Sequence, residues 1–110
     1  MSCDVVIWEG AEPINDEDRQ DTVNAIGTCY FEARVGTPQP PTQRITDFVE
    51  ALLRRWPDIG QEGSPWARGV TQYACGPALS VAVVWRRVDD VAPGIAQLAK
   101  EHGLQCYVRG

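Results

Sequence analysis

The side chains that most often carry chemistry are few in this chain of 110 residues, which has one histidine and four cysteines. A single imidazole excludes mechanisms that need two, and a histidine-rich metal site with them. His102 stands at the end of a predicted helix, where the helix dipole favours a cation. We expect this structural role for it. The alternative is that His102 serves as a base for Cys75 or Cys106 as nucleophile.

The four cysteines are Cys3, Cys29, Cys75 and Cys106, and no two of them form a CxxC pair. This spacing argues against a zinc clip and against a redox dithiol. We expect reduced thiols that are buried as small hydrophobic side chains. A disulfide between Cys3 and Cys106, joining the first and last strands, is the alternative in an oxidising compartment.

The chain has no glycine-rich phosphate loop, no GxSxG elbow and no dinucleotide fingerprint. The acidic run from Asn15 to Asp18, with Asp21, lacks the central glycine and the closing glutamate of a calcium loop. The sequence therefore predicts no catalytic residue, no cofactor and no metal site.

The charge of the chain is strongly polarised. Residues 1–22 hold seven acidic residues against Arg19, a net −6, whereas the rest of the chain holds eight acids against nine cations, a net +1. The acidic region over residues 1–22 repels phosphate backbones and attracts basic surfaces. We therefore predict that the chain binds a protein partner and no nucleic acid. The candidate partner-binding residues are Glu9, Glu12, Asp16, Glu17, Asp18, Asp21 and Trp66.

Length and composition predict one domain over residues 1–110, since 110 residues lie near the commonest domain size and 44% of them are hydrophobic. No signal-peptide pattern and no apolar run of membrane-spanning length occurs in the sequence. We therefore expect a cytoplasmic protein that does not bind a membrane.

The elements that would position these residues begin with a buried strand over Asp4–Trp8. A helix is predicted to begin at Asn15 or Asp16 and to bury Val23, Ile26, Tyr30 and Phe31. The proline-rich residues 36–41 then form a stiff connector.

The most regular pattern follows Thr42, a predicted helix cap, with apolar residues at positions 45, 48, 49, 52, 53 and 56. Pro57 ends that helix, and residues 58–69 are predicted as a loop. Two strands, Val70–Cys75 and Leu79–Arg86, are predicted to form a hairpin. Trp85 should then face the core beside Val83.

Asp90 is the predicted cap of the last helix, which places Pro93 in its first turn. Gly103 should end this helix in the left-handed conformation, with Leu104 folding back in a Schellman motif. A final strand is predicted at residues 106–108.

The predicted order of elements is β-α-α-β-β-α-β. This is an α+β class, a ferredoxin-like split β-α-β sandwich with one extra helix. Its helices should cover one face of a four-stranded, mostly antiparallel sheet of strand order 4-1-3-2. The other face would remain open to water or a partner, with candidates Val6, Trp8, Ala82, Val84 and Tyr107.

Several sequence blocks recur in one known group of proteins: the residues DVVIWEG at 4–10, RWPD at 55–58, SPWA at 64–67, and His102-Gly103-Leu104 before Cys106-Tyr107. In these blocks and their order the chain resembles a family of small bacterial proteins that is common in high-GC Gram-positive bacteria. Some members resemble immunity or antitoxin-type partners of secreted toxins. The resemblance spans nearly the whole chain and implies no catalytic residue.

Our leading hypothesis is a non-enzymatic protein-binding module, with a toxin as one possible partner, that binds a basic protein through its acidic N-terminal region. The alternative is a small-molecule binder or cofactor-free enzyme of the dimeric ferredoxin-like kind. That alternative predicts a homodimer through the open sheet face and a cavity lined by Tyr30, Tyr73 or Trp85.

Overall fold

The computed structural model of the chain describes residues 2–26, 40–70 and 73–109. Its elements are β1 (Ser2–Trp8), α1 (Asp16–Ile26), α2 (Gln43–Arg55), β2 (Tyr73–Cys75), β3 (Ala78–Val84), α3 (Val88–Glu101) and β4 (Gln105–Arg109). The predicted α+β class, with three helices and a four-stranded antiparallel sheet, is confirmed. The predictions for Cys29, Tyr30, Phe31 and most of the proline-rich connector fall outside the described residues.

The sheet has the strand order β2-β3-β1-β4, and each neighbouring pair is antiparallel. β1 lies at the centre, where Val5 is paired with Val81 of β3 on one side and with Val108 of β4 on the other. Since successive side chains of a strand point to opposite faces, β1 contributes to both faces of the sheet. The side chains of β1 from Val5 to Trp8 are buried on both faces.

The main core lies on the face to which Val5 and Ile7 point, both fully buried. The helices α2 and α3 cover this face with the side chains Ile45, Phe48, Leu52, Val91, Ile95 and Ala99. The stripe predicted from the periodicity of α2 is therefore confirmed. Thr42 caps α2 as predicted, its hydroxyl accepting a hydrogen bond from the Ile45 N–H at 3.3 Å.

The helix α1 lies on the opposite face of the sheet, so the prediction that all helices share one face is wrong. Val23 and Ile26 of α1 form a second, smaller core with Val6 and Trp8 of β1. Tyr107 of β4 packs against this core, and its hydroxyl donates to Gln20 Oε1 at 2.7 Å. A short helix that buries only two residues has no sequence signal for the face it will cover.

The chain leaves β3 earlier than predicted, and Trp85 begins a short 3-10 helix that leads into α3. Its side chain is 48% exposed, so the prediction of a core position for Trp85 is wrong. The helix α3 begins at Val88, so Asp90 is not its cap and Pro93 lies inside it. Its end is as predicted: Gly103 has φ of 70°, and the Leu104 N–H donates to Ala99 O at 2.8 Å in a Schellman motif.

Cys3, Cys75 and Cys106 are free thiols. Cys106 is paired with Ile7, four positions along β1 from Cys3, a separation of about 13 Å at the usual rise per residue of a strand. That distance excludes the alternative disulfide between Cys3 and Cys106. Burial raises the pKa of Cys106 to about 11, so its thiol is protonated at neutral pH.

A close contact joins α2 to α3 at Gly94. A Cβ at this position would lie 2.7 Å from Cη2 of the Trp56 indole, which is shorter than van der Waals contact. The same indole meets Trp66 edge to face at 6.1 Å between ring centroids. Gly94 therefore gives Trp56 the space to fill the gap between the two helices.

We predict that Gly94→Ala destabilises the fold by ~1–3 kcal/mol in urea unfolding, through overpacking, although alanine is the better helix former. In a Trp56→Leu background the clash is absent, and the same change should stabilise the fold by up to ~1 kcal/mol. An equal loss of stability in both backgrounds would contradict this account.

We also predict that the free energy of unfolding decreases between pH 9 and pH 11 because of Cys106. The unfolded chain ionises this thiol near its ordinary pKa of 9.0, whereas the folded chain retains the proton until about pH 11. The unfolded state therefore binds fewer protons in this window and is favoured as the pH rises. In Cys106→Val, the free energy of unfolding measured with a chemical denaturant should decrease less steeply with pH. The same pH dependence in both proteins would disprove the assignment.

Candidate functional site

A groove of about 470 Å³ opens between α1, the end of β1 with the residues that follow it, and the β2–β3 turn. Its floor is apolar and includes Trp8, Ile26 and Ala78. Among the described residues, its rim carries three carboxylates, those of Glu9, Glu12 and Asp18. We call this feature the acidic groove.

Local backbone chemistry fixes Asp18 at the rim. Asn15 caps α1, its Oδ1 accepting the Asp18 N–H at 2.8 Å. Asp18 in turn accepts the Ile14 N–H through Oδ2 at 3.0 Å. This reciprocal pair is a form of capping box, and the carboxylate also interacts favourably with the helix dipole. Asp18 therefore has a structural role at the start of α1. The other oxygen of its carboxylate lies at the groove.

Glu9 is tied to the start of α2 instead. Its Oε2 accepts the Thr42 hydroxyl at 2.5 Å, and its Oε1 lies 3.7 Å from Arg44 Nε. The backbone supports the same junction, because Glu9 N–H donates to Pro77 O at 2.9 Å. Glu9 thus holds β1, the hairpin turn and α2 together, and Arg44 offsets part of its charge.

The remaining acids of the predicted set are exposed. Glu12 lies at the groove, whereas Asp16, Glu17 and Asp21 lie outside it. We call these last three residues the outer acidic face. Asp16 is 3.5 Å from Arg19, but its side chain is fully exposed. The structure therefore divides the predicted acidic surface into a groove and an outer face.

Trp66 is 3% exposed and belongs to the main core. Its backbone forms an isolated antiparallel bridge with Val83, so residues around it extend the edge of the sheet beyond β2. This burial makes Trp66 a core side chain and not a surface residue. The candidate partner surface consequently does not include Trp66.

The open sheet face expected from sequence is not open at its centre. Val6 and Trp8 are each 3% exposed beneath α1, and Ala82 is 1% exposed. On this face Arg68 donates to Ser80 O and Oγ and lies 3.2 Å from Asp4. The prediction of an open sheet face is therefore wrong for Val6, Trp8 and Ala82.

The cavity of the alternative hypothesis was expected at Tyr30, Tyr73 or Trp85. Trp85 does not line the acidic groove. Tyr30 and the side chain of Tyr73 lie outside what the structure describes. One signal of the groove's actual position is present in the sequence: the apolar residue Ile14 lies within an acidic segment, and it is 89% exposed.

The other chemically capable residues do not converge. His102 meets Phe48 edge to face at 5.7 Å between ring centroids, consistent with a structural helix end. Over residues 2–26, 40–70 and 73–109, no group of three histidine, cysteine or acidic side chains could hold a metal ion. Within the same ranges no helix has the length and apolar character to cross a bilayer.

Comparison of the chain with protein-family models, with curated proteins and with solved structures gave no match.

We predict that Asn15→Ala loosens α1 and weakens the fold by ~1 kcal/mol, the usual value of a lost helix cap. The matched control is Asn24→Ala, because Asn24 is exposed within α1 and alanine is a better helix former there. Amide exchange over residues 16–26 should accelerate for Asn15→Ala alone. Equal exchange rates in the two variants would contradict the cap assignment.

Proposed function

We propose that this chain is a non-enzymatic protein-binding module whose acidic N-terminal region binds a basic protein partner. The observation that carries the proposal is the outer acidic face. Asp16, Glu17 and Asp21 are exposed on one short helix, and none of them accepts a hydrogen bond from the backbone of the described residues. Their charge is available to another molecule.

The use of the other acids supports this interpretation. Asp18 completes the capping box of α1, and Glu9 accepts the hydroxyl of Thr42 at the start of α2, so folding accounts for both carboxylates. The outer acidic face contributes less to the fold: Asp16 lies 3.5 Å from Arg19, and the helix dipole favours Asp16 and Glu17 in the first turn, but these side chains are exposed. Glu17 and Asp21 stand four residues apart, and such a like-charge pair opposes helix formation by a few tenths of a kcal/mol. A basic partner surface would neutralise them and accelerate association at low ionic strength.

The architecture that we propose for the module is ferredoxin-like with one added helix. Read from β4, the strand order is 4-1-3-2, and α2 and α3 pack on the same face as in a split β-α-β arrangement. In this assignment α1 is the addition. It brings the acidic region to the face that the ferredoxin-like helices do not cover.

The resemblance to immunity-type proteins makes a toxin one class of partner for such a surface. Neutralisation of a basic toxin by an acidic protein requires charge complementarity over an interface and no catalytic group. The proposal therefore needs only a stable scaffold and the exposed carboxylates.

We predict that a lysine-rich peptide binds the protein at low ionic strength and that its affinity decreases steeply as salt is added. Replacing the outer acidic face in Asp16→Asn/Glu17→Gln/Asp21→Asn should weaken binding by at least about tenfold in calorimetric titrations, the equivalent of ~1.4 kcal/mol. A glutamate-rich peptide should not bind.

The matched control is Glu50→Gln/Glu62→Gln/Glu101→Gln, which makes the same change in net charge at exposed positions elsewhere. This variant should keep most of the affinity. If both triple variants lose affinity equally, the affinity depends only on the net charge of the protein, and the proposed surface is wrong.

A further inference from the structure

The acidic groove contains a hydrogen-bond donor that the fold does not use. Trp8 is 3% exposed, yet its indole N–H makes no hydrogen bond within the part of the chain that the structure describes. A Cβ built on Gly10, a groove residue, would lie 3.6 Å from Nε1 of Trp8, so this edge of the indole faces the groove. The atom also retains contact with solvent, unlike the sealed Nε1 of Trp66.

A buried indole N–H normally finds an acceptor, because an unmade hydrogen bond costs ~1–3 kcal/mol once water is removed. Its position in an open groove allows a bound molecule to supply that acceptor. A peptide carbonyl is the commonest acceptor that a protein partner offers.

The walls of the groove suit a side chain that is apolar along its length and cationic at its end. Ile14, Ile26 and the Trp8 ring supply apolar surface. Over residues 2–26, 40–70 and 73–109, Glu12 makes no ion pair or hydrogen bond, and one carboxylate oxygen of Asp18 accepts no hydrogen bond. Arg44 neutralises part of the third rim carboxylate, that of Glu9, so the rim retains a net negative charge.

We propose that the acidic groove receives one lysine side chain of an extended segment of the protein partner. The lysine methylenes pack on the apolar walls, and the ammonium group donates to the carboxylates of Glu12 and Asp18. The carbonyl of the same or an adjacent residue of the segment accepts the Trp8 indole N–H. Lysine suits this site because separated single carboxylates match its compact charge better than the planar fork of arginine.

This inference rests on the proposed function and adds to it the residue type that the partner inserts. Specificity and long-range attraction then belong to different surfaces. The outer acidic face draws basic proteins in general, whereas the groove discriminates by side-chain length and by a hydrogen bond.

The test uses a tripeptide with a central lysine, blocked at both ends, titrated into the full chain and followed by ¹⁵N-correlated NMR. The Trp8 indole signal is assigned by its loss in Trp8→Phe. We expect this signal to move with the lysine peptide, and at least about tenfold weaker binding for the peptide with norleucine, which lacks the ammonium group. An arginine peptide should bind more weakly than the lysine peptide.

Blocking the groove provides a second, independent readout. Ala11 is exposed and lines the groove, so Ala11→Phe should abolish the shift, whereas Ala96→Phe, an exposed position on α3, should retain it. Glu12→Gln should weaken binding more than Glu50→Gln. Equal binding of lysine and norleucine peptides, or a shift that persists in Ala11→Phe, would overturn the inference.

The two proposals fail separately. If the lysine tripeptide leaves Trp8 unchanged while the lysine-rich peptide still binds through the outer acidic face, the groove inference is wrong and the proposed function stands. If the lysine-rich peptide does not depend on the outer acidic face, the proposed function fails whatever the groove does.

Discussion

The central strand β1 must be buried on both of its faces, and the rest of the structure follows from this requirement. Val5 and Ile7 enter the core beneath α2 and α3, while Val6 and Trp8 need a second cover on the other side. Burial of such side chains stabilises a fold by ~1.5–3 kcal/mol each, so neither face can be left in water at little cost. The helix α1 supplies the second cover and in doing so places its acidic first turn beside the end of β1.

Much of the main core could be predicted from the sequence because its signals are local. The apolar spacing of α2, the Thr42 cap and the Gly103 terminator each depend on a few neighbouring residues, and each was found where expected. Alternation in β1 and β3 likewise gave the faces of the sheet. Trp85 was placed wrongly because alternation does not reveal where a strand stops, and the chain turns into a helix after Val84.

The candidate site was less predictable, because it joins residues 8–26 to the β2–β3 turn at residues 77 and 78, which is distant in sequence. The acidic residues were identified from composition. Which of them stabilise a helix end and which remain exposed depends on contacts that composition does not show, such as the hydrogen bond between Glu9 and Thr42. The side of the sheet taken by α1 had no local signal, since Val23 and Ile26 are too few to define a stripe. Without that placement, Trp8 and Ile14 could not be connected with a groove.

The outer edge of β3 is occupied in two short pieces, by β2 and by the bridge at Trp66. Long, flat, uncovered sheet edges act as templates on which a strand from another molecule adds, the first step of aggregation. Here β2 pairs through only three residues, and the Trp66 side chain anchors the second piece in the core. The arrangement makes this side of the sheet a poor template for an added strand, so the exposed acids of α1 are carried by a sheet whose β3 edge does not promote self-association.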